Sequence, residues 1–160
     1  METLTQSSVA DNLKQINDQI AAAATKAGRE PEDVKLVAIS KTKPIELIEA
    51  AKDVGQIIFG ENRAQEMQSK HEQLPDLKWH MVGHMQRNKV KYLIDYVDLI
   101  HSVDSVRLLK EINKRAKGAE RVCDVLLQVN ISDEDQKHGA GKKTLHDMLE
   151  AHQDMQHVHV

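Results

Sequence analysis

One lysine stands where an amine can do covalent chemistry. Lys41 follows directly on the apolar stretch Leu36-Val37-Ala38-Ile39-Ser40. A lysine closing a strand has a rigid backbone. Partial burial at that position favours the neutral, nucleophilic amine over the ammonium. Such an amine attacks a carbonyl compound and condenses to a Schiff base. Position alone leaves the alternative open that Lys41 is a solvated loop lysine.

Other candidates follow other apolar runs. Asn62, in Phe59-Gly60-Glu61-Asn62-Arg63, can donate and accept in one site. Gly60 and Asn62 are equally ordinary turn residues. Alternation in Trp79-His80-Met81-Val82-Gly83-His84 puts His80 and Val82 on one strand face and Trp79 and Met81 on the other. His80 then points into a pocket or is a hydrogen-bonded interior histidine. Gly83 permits close approach by a ligand or by backbone. Arg87, Lys89 and Lys91 form a small basic cluster without interleaved aromatics, and the net charge is −3, so a solvated helix face is favoured over a nucleic-acid site. Lys137 follows the acidic stretch Ser132-Asp133-Glu134-Asp135-Gln136. It can guide a phosphate or accept an aldehyde from Lys41, or be plain loop charge. There are nine histidines. His152, His157 and His159 are close in sequence, but no spacing matches a zinc pattern, and no metal is expected. Gly-x-Ser-x-Gly, Walker and Gly-x-Gly-x-x-Gly motifs are absent, which removes support for three enzyme classes.

The elements that must position these residues alternate. Val9, Leu13, Ile16, Ile20, Ala24 and Ala27 recur at helical spacing, with Ser8 expected as N-cap and Gly28 as the stop. Short apolar runs then begin near 34–40, 56–59, 77–82, 97–102, 124–130 and 157–160. The first is expected to be covered on both faces. Helical patterns separate them: Pro44 leading into Ile45, Ile48 and Ala51; 63–72; 87–96 with Val90, Leu93 and Ile94; a helix capped by Asp104 and ended by Gly118; and Leu145, Leu149, His152 and Met155. The order predicts a leading helix, five βα units and the start of a sixth strand. That is a parallel α/β sheet, either doubly wound or part of a (βα)8 barrel. In both, chemistry sits beyond the C-terminal ends of the strands.

With 160 residues, 40% hydrophobic and 29% charged, the chain is long enough for one globular domain. The only aromatics are Phe59, Trp79, Tyr92 and Tyr96, too few for base stacking. A single cysteine, Cys123, fits a reducing compartment. Neither a membrane span nor a secretory signal is evident. A cytoplasmic location is expected, with no nucleic-acid or membrane partner.

Taken together, Leu36 to Pro44, Phe59 to Glu66, Trp79 to Lys89 and Gln128 to Glu134 with Lys137 resemble the pyridoxal-phosphate homeostasis proteins, relatives of the alanine racemase N-terminal barrel. The resemblance runs from the leading helix to Val160. It implies a (βα)8 TIM-type barrel with pyridoxal 5′-phosphate held as a Schiff base on Lys41. It also implies Asn62, His80 and Gly83 as pocket residues. The implied role is intracellular buffering and delivery of the cofactor to apoenzymes, without established turnover. An amino-acid racemase using the same lysine is the enzymatic alternative; a nucleic-acid or partner-binding protein using Arg87 to Lys91 is the other. Racemisation needs a base on the opposite cofactor face, and Tyr92 and Tyr96 fall in an expected outer helix.

The chain departs from the family at its end. The Ser/Gly-rich turn and Arg-x-Gly-Thr segment of the last strands, which hold the cofactor phosphate in the family, are not present. At about 25 residues per unit, eight strands need roughly 230 residues. Residues 1–160 therefore read as one incomplete barrel domain lacking its C-terminal portion. Interruption leaves parallel edges unpaired, from which self-association, weak stability and weaker cofactor binding than in a complete barrel are expected.

Overall fold

The computed structural model describes residues 5–131 and 138–160. They divide into two compact units, Met1–Phe59 and Gly60–Val160.

The first unit opens with α1 (Gln6–Lys26). Its N-cap is Thr5 rather than Ser8. Thr5 Oγ1 accepts from the Ser8 amide at 3.3 Å while Ser8 Oγ accepts from the Thr5 amide at 2.9 Å. Ser8 is thus the reciprocal partner in a capping box that starts the helix three residues earlier than expected. Gly28 ends it at φ +69°, the left-handed value that glycine adopts without strain. Leu13 and Ala24 are buried, but Ile16 of the same stripe is 40% exposed. β1 is only Ala38–Ile39. The double coverage expected over 34–40 is not found, since Val34 and Ile39 are exposed. An apolar composition does not by itself set coverage, which depends on what packs across each residue. The Gln56 side chain donates to the Leu36 carbonyl at 2.9 Å and to the Ile58 carbonyl at 2.6 Å. α2 (Ile45–Asp53) buries Ile48 and Ala51, and Pro44 is its N-cap, one residue before the expected first-turn position. β2 (Ile58–Glu61) spans the boundary between the units.

The second unit continues with α3 (Ala64–Gln73), β3 (Lys78–Met81), a 3-10 turn (Arg87–Tyr92), β4 (Leu99–Val103), α4 (Val106–Gly118), β5 (Cys123–Leu127), α5 (Lys142–His152) and β6 (Val158–His159). Strand order in the six-stranded sheet is the chain order, β1-β2-β3-β4-β5-β6. β3 through β6 pair in parallel, with His80 opposite Leu99, Ile100 opposite Val125 and Asp124 opposite His159. Consecutive parallel neighbours linked by helices build a (βα)8 barrel, and six of the eight strands are present, so the barrel is incomplete in this chain.

Burial alternates along β5. By strand register Trp79, Met81, Ile100, Cys123 and Val125 are buried on one face. Asp124 and Leu126, on the other face of β5, are exposed. α4 supplies Leu108, Leu109, Ile112 and Ala116 to the core. Its cap is Ser105, whose Oγ accepts from the Leu108 amide at 3.4 Å, not Asp104. The helix expected over 87–96 is a short 3-10 turn with Val90 and Leu93 three residues apart and both buried. That spacing puts them on one edge of a 3-10 turn. In α5 the buried residue is Met148, while Leu149 of the expected stripe is 43% exposed. Lys70 on α3 meets Glu61 of β2 at 2.7 Å and Glu66 at 2.8 Å. Among the described residues no helix is long and apolar enough to cross a membrane.

Candidate functional site

Lys41 lies two residues past β1, in a turn closed by the Lys43 amide donating to the Ser40 carbonyl at 3.0 Å. Thr42 holds φ +61°, a left-handed conformation rare outside glycine. The turn fixes the backbone beneath Lys41 as a strand-end lysine requires. The side chain is exposed, so the partial burial expected for a nucleophilic amine is not found. In chemical type the position fits a carbonyl-bearing cofactor: an accessible primary amine on a constrained backbone just past the C-terminal end of a strand.

Asn62 and Gly83 meet at the ends of β2 and β3. The Val82 amide donates to the Glu61 carbonyl at 2.9 Å. A Cβ built on Gly83 would lie 2.5 Å from the Asn62 carbonyl oxygen. Gly83 is therefore needed for close approach of backbone. Asn62 lines a cavity of about 290 Å³ with Arg63, Gln65, His84, Gln86 and Lys89. Sequence reasoning did not single out Arg63, Gln65 or Gln86 as neighbours of Asn62. Their signal was position alone, just past strand ends in consecutive βα units.

His80 does not reach that cavity's lining. It is buried, with Nε2 at 3.3 Å from Asp98 Oδ2 and Nδ1 at 3.0 Å from His101 Nε2. If Nε2–H donates to the carboxylate, Nδ1 accepts from His101 Nε2–H, which leaves His101 Nδ1 as an acceptor. Burial, and then the neighbouring His80, push the His101 pKa below its ordinary value. This Asp98–His80–His101 row runs up the face of β3 and β4 that a closed barrel turns towards its axis. Asp124 and His159 extend the same polar face at 3.0 Å on β5 and β6.

The remaining candidates separate. Lys89 and Lys91 lie 5.4 Å and 5.0 Å from the Tyr92 ring centroid, using that basic cluster in local cation–π contacts. Tyr96 stacks on His71 with centroids 3.8 Å apart, and burial drives its hydroxyl well above the usual tyrosine range. Both tyrosines are thus engaged in packing. His152 Nε2 pairs with the Val158 carbonyl at 3.1 Å and His157 Nδ1 with the Arg121 carbonyl at 3.2 Å. Cys123 is buried, and burial pushes its thiol up to about 11, an inert structural cysteine. Lys137 lies outside the described residues.

The alanine racemase N-terminal domain family matches residues 12–160, and the chain belongs to that family. Within it, the chain resembles proteins named for pyridoxal phosphate homeostasis. That of Escherichia coli (strain K12) is 40% identical over 136 residues, covering 82% of this chain and 58% of that protein. That of Aquifex aeolicus is 42% identical over 142 residues, covering 88% and 62%. The chain thus spans about three-fifths of the length of these relatives. Among solved structures, PipY of Synechococcus elongatus with PLP bound is 32% identical with TM-score 0.81, covering 95% of this chain and 67% of PipY. An alanine racemase of Clostridium difficile, 14% identical with TM-score 0.67 and covering 90% of this chain and 40% of the racemase, shares the fold.

Proposed function

We propose that this chain belongs to a cytoplasmic protein that binds pyridoxal 5′-phosphate and serves in its homeostasis, holding and releasing the cofactor to apoenzymes. Residues 1–160 are read as part of one cofactor-binding barrel domain. Lys41 is the residue that would hold the cofactor, by condensation of its amine with the aldehyde to a Schiff base and loss of water. The observation that carries this reading is an exposed lysine on a constrained turn at the end of the first strand, in a chain 32% identical to a protein solved with PLP bound. Asn62, His80 and Gly83 are read as further cofactor-binding residues, as the family resemblance implies.

The same lysine would also serve an amino-acid racemase. Packing of Tyr96 on His71 and of Tyr92 beneath Lys89 and Lys91 disfavours both tyrosines as the opposing base.

The test is borohydride reduction of the protein incubated with pyridoxal phosphate, followed by peptide mass mapping. The expected result is one reduced adduct on Lys41, lost in Lys41→Ala. A folded sample without that adduct overturns the reading. Alanine racemisation that disappears in Lys41→Ala would put the enzyme first.

A further inference from the structure

The ends of β3, β4 and β5 bring together three side chains that no motif connects. His84 follows β3 by three residues, Asp104 follows β4 by one, and His138 precedes the point where the chain rejoins the end of β5. One ligand atom from each lies within 4.8 Å of the others. His84 Nδ1 is 3.5 Å from Asp104 Oδ2, and the His84 and His138 rings lie 4.0 Å apart and within 15° of parallel.

Each of the three has an anchored backbone. Ser102 Oγ donates to the Gly83 carbonyl at 2.6 Å, fixing the residue before His84. Asp104 stands between β4 and the Ser105 cap of α4. The His138 carbonyl accepts from Gln128 Nε2 at 3.2 Å. Immediately after it, Gly139 at φ +136° packs so closely that a Cβ would lie 2.6 Å from the Asn130 nitrogen. The Ala140 amide then donates to the Gln128 carbonyl at 2.7 Å and the Asn130 amide to the Ala140 carbonyl at 3.0 Å. Three independently tethered donors converge from three strand ends.

We propose that His84, Asp104 and His138 form a binding site for a divalent transition cation, with zinc the best match. Two imidazoles and one carboxylate are a borderline donor set that suits zinc over calcium or magnesium, which demand more oxygens. Tetrahedral bonds of about 2.0–2.1 Å place ligand atoms about 3.4 Å apart. His84 and His138 are exposed, so closing from 4.8 Å takes side-chain rotation that unstacks the two rings and turns their in-plane lone pairs onto one ion, without disturbing the core. Three protein ligands leave a fourth position open for water or an anion. The site uses neither Lys41 nor the cofactor, and it stands or falls independently of the proposed function.

The test is zinc titration of the chelator-stripped protein, without pyridoxal phosphate, by calorimetry and thermal unfolding. One equivalent is expected to bind and to raise the melting temperature, because the ion binds the native state. His84→Gln, Asp104→Asn and His138→Gln are each expected to weaken that binding more than about tenfold. His146→Gln, on exposed α5 surface, controls for scattered histidines and leaves it unchanged. His138 lies outside every helix and strand, so its variant supplies the readout if Asp104→Asn disturbs the start of α4. Absence of binding, binding equally strong in the His84 and His138 variants, or loss in His146→Gln overturns the site.

Discussion

The two faces of the sheet in the second unit have opposite characters. On one, Trp79, Met81, Ile100, Cys123 and Val125 are all buried, and Trp79 Nε1 donates to the Leu74 carbonyl at the end of α3 at 3.3 Å. On the other, exposure rises from His80, buried in its pair, through half-buried Leu99 and His101, to exposed Asp124 and Leu126. The first face is the helix-covered outer layer of a barrel wall. The second is the layer that a closed barrel turns towards its axis. Alternate residues of the same short strands therefore divide the work: one set holds the unit together, and the other carries polar groups whose surroundings the remaining strands would complete. Stability and ligand chemistry should then be separable by mutation along a single strand.

The largest contrast is expected at Trp79. Trp79→Ala removes a fully buried ring and should cost about 3–5 kcal/mol in urea unfolding. A cost near zero would mean the outer layer is not the core. Gly83→Ala should come next, at about 1–3 kcal/mol, because its new Cβ collides with backbone rather than a movable side chain. It would also push Asn62 and Gly83 apart, so its effect on cofactor affinity measures how far that close approach shapes the site.

His101 sharpens the comparison through pH. Burial lowers its folded-state pKa below the ordinary 6.5, so the native state favours the neutral ring. The stabilisation is present above the unfolded value and is lost as pH falls through the depressed folded one. Urea midpoints should decline as pH falls below the ordinary 6.5, and His101→Gln should flatten part of that decline. An unchanged slope would break the link between this face and acid sensitivity. The smallest effect is expected at Leu126, 47% exposed on the open face. Leu126→Ser should alter stability by no more than about 0.5 kcal/mol. A large loss there would show that something covers this face in solution.

Much of this architecture was legible in periodicity. Alternation over 77–82 separated His80 from Trp79, and the expected helix ended by Gly118 is α4. Boundaries were less legible, because caps depend on which of two nearby polar residues makes the capping bond: Thr5 over Ser8, and Ser105 over Asp104. Strand 34–40 read as doubly covered because its composition is apolar, yet burial depends on what lies across from a residue. Leu149 misled for the same reason: helical spacing marks a stripe, but packing chose Met148.

By itself the sequence determined the order of elements, the lysine at the end of the first strand and the family in which such a lysine is found. These depend on residue type and short spacing, which the chain carries locally. Only the tertiary structure decided that Gly83 serves backbone approach to Asn62, that His80 is tied between Asp98 and His101, and that His84, Asp104 and His138 converge. Parallel sheets bring together strand ends that lie 20 or more residues apart in sequence. No local pattern encodes a distance set by register between strands.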